Sequence, residues 1–78
     1  MADSKGNKKN YEIKEHIADL SKPNEKGWRK ELNLIKWFDK EPKYDIREWG
    51  PEHKQMGKGV TLTYEELETL CTVFEEIK

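Results

Sequence analysis

Few side chains in this 78-residue chain are of types that could do covalent chemistry. His16 and His53 lie far apart in sequence, and no serine or cysteine sits in a nucleophile setting. Cys71, the single cysteine, rules out an internal disulfide framework and a cysteine-based zinc cluster. Its place among apolar residues predicts a buried structural thiol. Two histidines with scattered carboxylates give no metal-ligand constellation, no glycine-rich phosphate loop follows a strand, and Asp45 and Glu48 fall on opposite sides of one strand. The residues predict no enzyme, no metal and no cofactor. They suit a binding surface better. Trp28, Trp37, Phe38 and Trp49 are interleaved with Arg29, Lys30, Lys36, Lys43 and Arg47. Flat rings stack on unpaired bases while cations follow the backbone. Trp28 and Trp37 fit a core role equally well. Trp49 shares its parity with Lys43 and Arg47 rather than with Ile46, which favours exposure on the binding side. Asp45 and Glu48 would repel phosphate, so they are expected to pair with neighbouring cations.

The elements that must position these residues follow from periodicity and punctuation. Residues 1–10 hold three lysines and almost nothing apolar, as in a disordered arm. Tyr11 to Leu20 places Tyr11, Ile13 and Ile17 on one parity and Lys14 and His16 on the other, a half-buried strand; Ile13, Ile17 and Leu20 also fit a helix. Ser21 to Gly27 is a turn by composition. Trp28 to Phe38 reads as a second strand, with Leu32 and Leu34 on one face and Asn33, Ile35 and Trp37 on the other. Asp39 to Pro42 closes a second turn, and Tyr44 to Trp49 forms a third strand. After a polar loop over residues 50–58, Gly59 to Leu62 forms a fourth. Gly57 and Gly59 bracket Lys58, where a backbone could approach a ligand or bend a strand edge.

Thr63 and Glu66 match a capping box opening a helix. Its stripe of Leu67, Leu70, Cys71, Phe74 and Ile77 must lie on the sheet, on a second chain, or on both. The fold class expected is α+β, a four-stranded antiparallel meander followed by a C-terminal α-helix.

Composition supports an oligomer. Only 33% of residues are hydrophobic while 40% are charged, which leaves little core for a lone small domain. A homodimer through Leu67, Leu70, Phe74 and Ile77 would supply the missing burial. The net charge of −1 is unevenly spread. Thr63 to Lys78 carries five acids and one lysine, while the remainder has 14 cations against 11 acids, an acidic helix beside a mildly basic sheet. With no long apolar run and no leader pattern, a cytoplasmic protein is expected, association with the nucleoid included, and no membrane partner. The acidic helix suits no DNA groove.

Three segments in order carry a family likeness. Lys26-Gly27-Trp28 with Glu31-Leu32-Asn33-Leu34, then Lys43-Tyr44-Asp45-Ile46-Arg47, then Met56-Gly57-Lys58-Gly59-Val60-Thr61-Leu62 resemble the positive cofactor four family of transcriptional coactivators, in particular its bacterial YdbC-type branch. The likeness runs from about Tyr11 to Lys78. It implies a homodimer with packed helices and single-stranded DNA lying across the sheet with little sequence preference. Arg47 and Lys58 match the family's basic contacts, Trp37 or Phe38 the aromatic ending strand two, and Trp49 the aromatic after Asp45-Ile46-Arg47-Glu48. The loop after Trp49 is shorter than in eukaryotic members. The arm lacks their long serine- and lysine-rich region, so control by phosphorylation is not implied.

The reading at this point is a single-stranded DNA-binding homodimer over residues 11–78, acting in transcription regulation or in protecting unpaired DNA, with the transcription machinery as a further partner. Its contacts are Lys26, Trp28, Lys36, Trp37, Phe38, Lys43, Arg47, Trp49 and Lys58. A protein-interaction module and a single-stranded RNA binder are the alternatives.

Overall fold

The computed structural model describes residues 10–78; apart from Asn10, the arm expected at the start lies outside the described residues. The chain forms β1 (Tyr11–Asp19), β2 (Arg29–Trp37), β3 (Lys43–Trp49), a 3-10 turn (Pro51–His53), β4 (Met56–Leu62) and α1 (Tyr64–Ile77). The strands make one antiparallel sheet in the order β1-β2-β3-β4, so the meander and the terminal helix are as expected. No described helix is long and apolar enough to cross a membrane.

Each turn is fixed by identifiable chemistry. Between β1 and β2, Asn24 accepts at its side-chain oxygen from the amides of Lys26 and Trp28, at 2.9 and 3.0 Å. Gly27 then takes φ +86°, a conformation that costs other residues steric strain. This turn starts β2 at Arg29, so Trp28 lies before the strand. At the other end β2 stops at Trp37, because Phe38 turns left-handed with φ 52°. The fourth strand begins at Met56, earlier than its composition suggests.

Register sorts the side chains into two faces. Pairs Ile35–Lys43, Asn33–Asp45, Glu31–Arg47 and Arg29–Trp49 place Arg29, Glu31, Asn33, Ile35, Trp37, Lys43, Asp45, Arg47 and Trp49 together, since alternate residues share a face. Leu32, Leu34, Tyr44 and Ile46 point to the reverse. β1 departs from simple alternation. Its register shifts between Ile13 and Glu15 and again between His16 and Ala18. Each extra residue resets the parity, so His16 pairs with Asn33 and joins the face of Tyr11 and Ile13, opposite to the alternation read from sequence.

The buried residues lie on that first face: Ile35, Trp49, Glu31, Asn33 and Asp45. Three of the five are polar or charged, so this core is held by hydrogen bonds as much as by apolar contact. No second layer of secondary structure covers the face among the described residues. Large side chains and the turn after β3 close over it. Tyr11 reaches across to Trp37 and Trp49, with ring centroids 5.6 and 5.9 Å apart, and the His53 ring lies 5.0 Å from Trp49.

The helix starts as expected. The Thr63 hydroxyl accepts from the Glu66 amide at 3.1 Å and the Glu66 carboxylate accepts from the Thr63 amide at 2.8 Å. The helix meets chiefly β3 and β4, with Tyr64 against Tyr44 at 6.4 Å. Its apolar stripe is largely uncovered by the described residues: Leu70, Val73, Phe74 and Ile77 are exposed, and Leu67 is half-buried. Cys71 is exposed as well, which corrects the buried thiol expected from its apolar neighbours, because the stripe it sits on does not rest on the sheet.

Of the two glycines around Lys58, Gly59 is the one that packing within the chain requires. A Cβ on Gly59 would lie 2.3 Å from the Arg47 Cβ and 2.4 Å from the Ile46 carbonyl oxygen, so β3 and β4 approach only because that atom is missing. At Gly57 the nearest atoms are the Glu48 Cβ and carbonyl oxygen at 3.6 Å, an ordinary contact. Gly59→Ala is therefore expected to destabilise the fold by about 1–3 kcal/mol and Gly57→Ala by clearly less. Urea unfolding of both variants checks the difference.

Candidate nucleic-acid interface

The sheet face divides into a polar half and an aromatic half. In the polar half, the Glu31 carboxylate is 1% exposed. It accepts from Arg29 Nε at 3.0 Å, Asn33 Nδ2 at 3.1 Å and His53 Nε2 at 2.9 Å. His16 Nδ1 lies 3.5 Å from the same group. Thus the two histidines, far apart in sequence, converge on one carboxylate. His16, Asp19 and Glu31 place ligand-type atoms within 4.8 Å of one another, correcting the expectation that no such constellation forms. Residue order carries no sign of this, because the bulge in β1 hides the parity of His16, and His53 arrives through two left-handed residues, Glu52 and His53, both at φ 58°.

Burial pushes the Glu31 carboxyl up, but hydrogen bonds from His53, Asn33 and Arg29 and the charge of His53 outweigh it and hold the group below its ordinary value. A depressed folded pKa contributes stability that is present above the unfolded pKa, about 4.3, and is lost as pH falls through the folded value.

Beside it, Asp45 is fully buried and takes two bonds of 2.8 Å from Nε and Nη2 of Arg47. Arg47 Nη1 donates to the Gly57 carbonyl at 3.2 Å, and its Cζ lies 4.9 Å from the centre of the Trp37 ring. The expected pairing of Asp45 with a cation is thus present, and it engages the guanidinium. Arg47 is only 12% exposed and is bonded to Asp45, while it also lines the aromatic half of the face.

In the aromatic half, an open cleft of about 360 Å³ is lined by Trp37, Phe38, Lys40, Lys43, Arg47 and Thr61. Phe38 is 62% exposed, held outward by its left-handed backbone. Lys40 follows it in the turn, where its amide donates to the Trp37 carbonyl at 2.9 Å; Lys43 opens β3.

The nine side chains expected to bind nucleic acid therefore part company. Trp37, Phe38, Lys43 and Arg47 gather at the cleft. Trp49 shares their face but is 1% exposed, packed by Tyr11 and His53; parity was right and exposure was not, because the loop after β3 folds back over the ring. Trp28 is half-buried, its indole lying 3.3 Å from where a Gly50 Cβ would stand and 3.7 Å from a Gly57 one. Lys36 alternates onto the reverse face from Trp37 and donates to the Phe38 carbonyl at 2.8 Å. Lys26 is exposed in the first turn, away from the cleft-lining set, and Lys58 is exposed in the irregularity between the Arg47–Gly59 and Trp49–Met56 pairs. Lys40 and Thr61 were missed. A lysine two residues after an aromatic in a tight hairpin was the available signal for the first.

The fold is thus a four-stranded antiparallel meander with one terminal helix, and its open face carries a cleft that combines rings with lysines. Residues 24–73 match the family Transcriptional Coactivator p15 (PC4), and the chain belongs to that family, whose members are known for nucleic-acid binding and coactivator roles. It is also 45% identical over 60 residues to an uncharacterized protein of Treponema pallidum (strain Nichols), covering 77% of this chain and 69% of that one.

Glu31→Gln is expected to lower stability at pH 7 by about 1.5–3 kcal/mol, the worth of hydrogen bonds to a charged group. It should also flatten the loss of stability below about pH 4.3. Urea midpoints of both proteins between pH 7 and pH 3 check this.

Proposed function

We propose that this protein binds single-stranded DNA with little sequence preference, as a homodimer, in the regulation of transcription or the protection of unpaired DNA in the cytoplasm. The observation that carries the reading is the cleft that sets the exposed Phe38 ring and Trp37 beside Lys40, Lys43 and Arg47. An unpaired base offers a flat face to an aromatic ring, worth about 1–3 kcal/mol per base, and the lysines neutralise the adjoining phosphates. Exposed Lys58 and Lys26 extend the positive surface beyond the cleft. Membership of a coactivator family supports the same reading. Double-stranded DNA fits poorly, because the helix is acidic and its first turn carries Glu65 and Glu66.

The test is a polarisation titration with a labelled oligo-dT. Binding should saturate, and Phe38→Ala should weaken it by about 1–3 kcal/mol. Each of Lys40→Ala and Lys43→Ala should reduce the log–log salt slope by about 0.7. Arg47 is unsuited to this test, since its removal strands Asp45 as a buried unpaired charge at a cost of about 3–5 kcal/mol. Absence of saturable binding in low salt, or indifference to Phe38→Ala, would refute the reading.

The homodimer rests on the helix stripe. Leu70, Val73, Phe74 and Ile77 stand exposed together, a contiguous apolar patch of the kind that marks an interaction surface. A second copy of the same stripe is self-complementary about a two-fold axis. Phe74→Glu is expected to convert the protein to a monomer in sedimentation and to make it less stable. The same stripe is what favours the second reading, an adaptor docking a transcription protein. In that case Phe74→Glu would abolish capture of the partner and leave the sedimenting mass unchanged.

A further inference from the structure

The aromatic cleft leaves the polar end of the sheet unused. There, His16 and Asp19 on β1 and Glu31 on β2 turn their donor atoms toward one region, within 4.8 Å of one another. Asn33 fixes the tautomer of His16. Its amide nitrogen donates to Glu31 at 3.1 Å, so its oxygen is the atom 2.7 Å from His16 Nδ1, and that nitrogen carries the proton. A singly protonated ring then presents the lone pair of Nε2 to Asp19 Oδ1 at 3.0 Å. Two electron pairs at that separation repel unless a cation lies between them. A proton can serve, as can a metal ion.

Three features favour the metal. First, a proton bridges two donors, whereas here a third, the Glu31 carboxylate, converges with them. Second, an imidazole whose far N–H is held by a neighbouring acceptor is the usual setting of a metal-bound histidine. Third, His53 Nε2 sits 2.9 and 3.0 Å from the two oxygens of Glu31 and holds that carboxylate in place. Arg29 is the competing cation, with Nε 3.4 Å from Asp19 and 3.0 Å from Glu31. It is partly exposed, and a bound ion would have to displace it.

We propose that His16, Asp19 and Glu31 form a binding site for a divalent first-row transition-metal ion of the zinc type, in competition with Arg29, and with Asn33 and His53 as positioning residues. An imidazole with two carboxylates suits zinc, at about 2.0–2.2 Å per bond. Calcium takes oxygen donors alone, and copper(I) favours sulfur. A bound ion would tie the edge strand β1 to β2 where the two register shifts interrupt their ladder.

The test uses the untagged 78-residue chain at pH 7, titrated calorimetrically with zinc chloride and followed in the visible with cobalt(II) as a spectroscopic stand-in. One ion per chain is expected. His16→Gln and Asp19→Asn should each weaken binding by about 100-fold or more, and Asn33→Ala by about 10–100-fold. Arg29→Ala, which removes the competing charge and leaves all three ligand residues in place, should tighten it by about tenfold. Circular dichroism of each variant verifies folding, and Arg29→Ala decides the matter if the ligand variants do not fold. The proposal is overturned if no saturable binding occurs, if His16→Gln binds as well as the parent, or if Arg29→Ala leaves affinity unchanged. It is equally overturned if nitrogen-15 spectra show both ring nitrogens of His16 protonated at pH 7 and unaffected by zinc.

Discussion

The Glu31 carboxylate has almost no contact with water, so its charge must be met by protein groups. That requirement organises half the sheet. It draws Arg29 along its own strand, Asn33 from two residues on, and His53 across from the loop after β3. The loop reaches Glu31 only by holding two consecutive residues in the left-handed region, a conformation costing roughly 1–2 kcal/mol per non-glycine residue. In doing so it lays the His53 ring against Trp49 and closes the indole off from solvent. A buried carboxylate thus decides which tryptophan is core. Asp45 imposes the same constraint next door, and its bidentate hold on Arg47 sets where that guanidinium stacks on Trp37.

The cleft is what remains of the face once these two acids are satisfied. Its rings come from the end of β2 and the residue after it, its lysines from the following turn and the start of β3. One hairpin therefore supplies nearly the whole set, and the buried polar network behind it keeps the strands that carry it in place. Surfaces for ligands and networks for stability alternate along the same strands, which is why a single parity class contains both Lys43, exposed, and Asp45, fully buried.

Much of this was legible from residue order. Strand parity in β2 and β3, the four-strand meander, the capping box at Thr63 and Glu66 and the helix stripe all follow from local patterns, which register then preserves. Three things were not. His16 changed sides because a bulge leaves no compositional mark. Trp49 was buried by a loop whose path depends on a long-range bond to Glu31. Lys36, adjacent to Trp37 in sequence, necessarily points the other way in a strand and went to the Phe38 carbonyl. For His16 and Trp49 the deciding contact lies outside the window that periodicity can see, whereas the direction of Lys36 follows from alternation alone.

The strand order also bears on how the chain reaches its native state. Because β1 to β4 lie side by side in the order in which they occur, every ladder closes only the short loop between neighbours. No pairing waits on a distant segment, so the entropy of closure is small at each step. A sheet of this kind can zip from hairpin to hairpin and should assemble rapidly for an all-antiparallel structure. In the homodimer proposed above, the slow event then falls to the meeting of two preassembled chains, whose rate depends on how many copies are present.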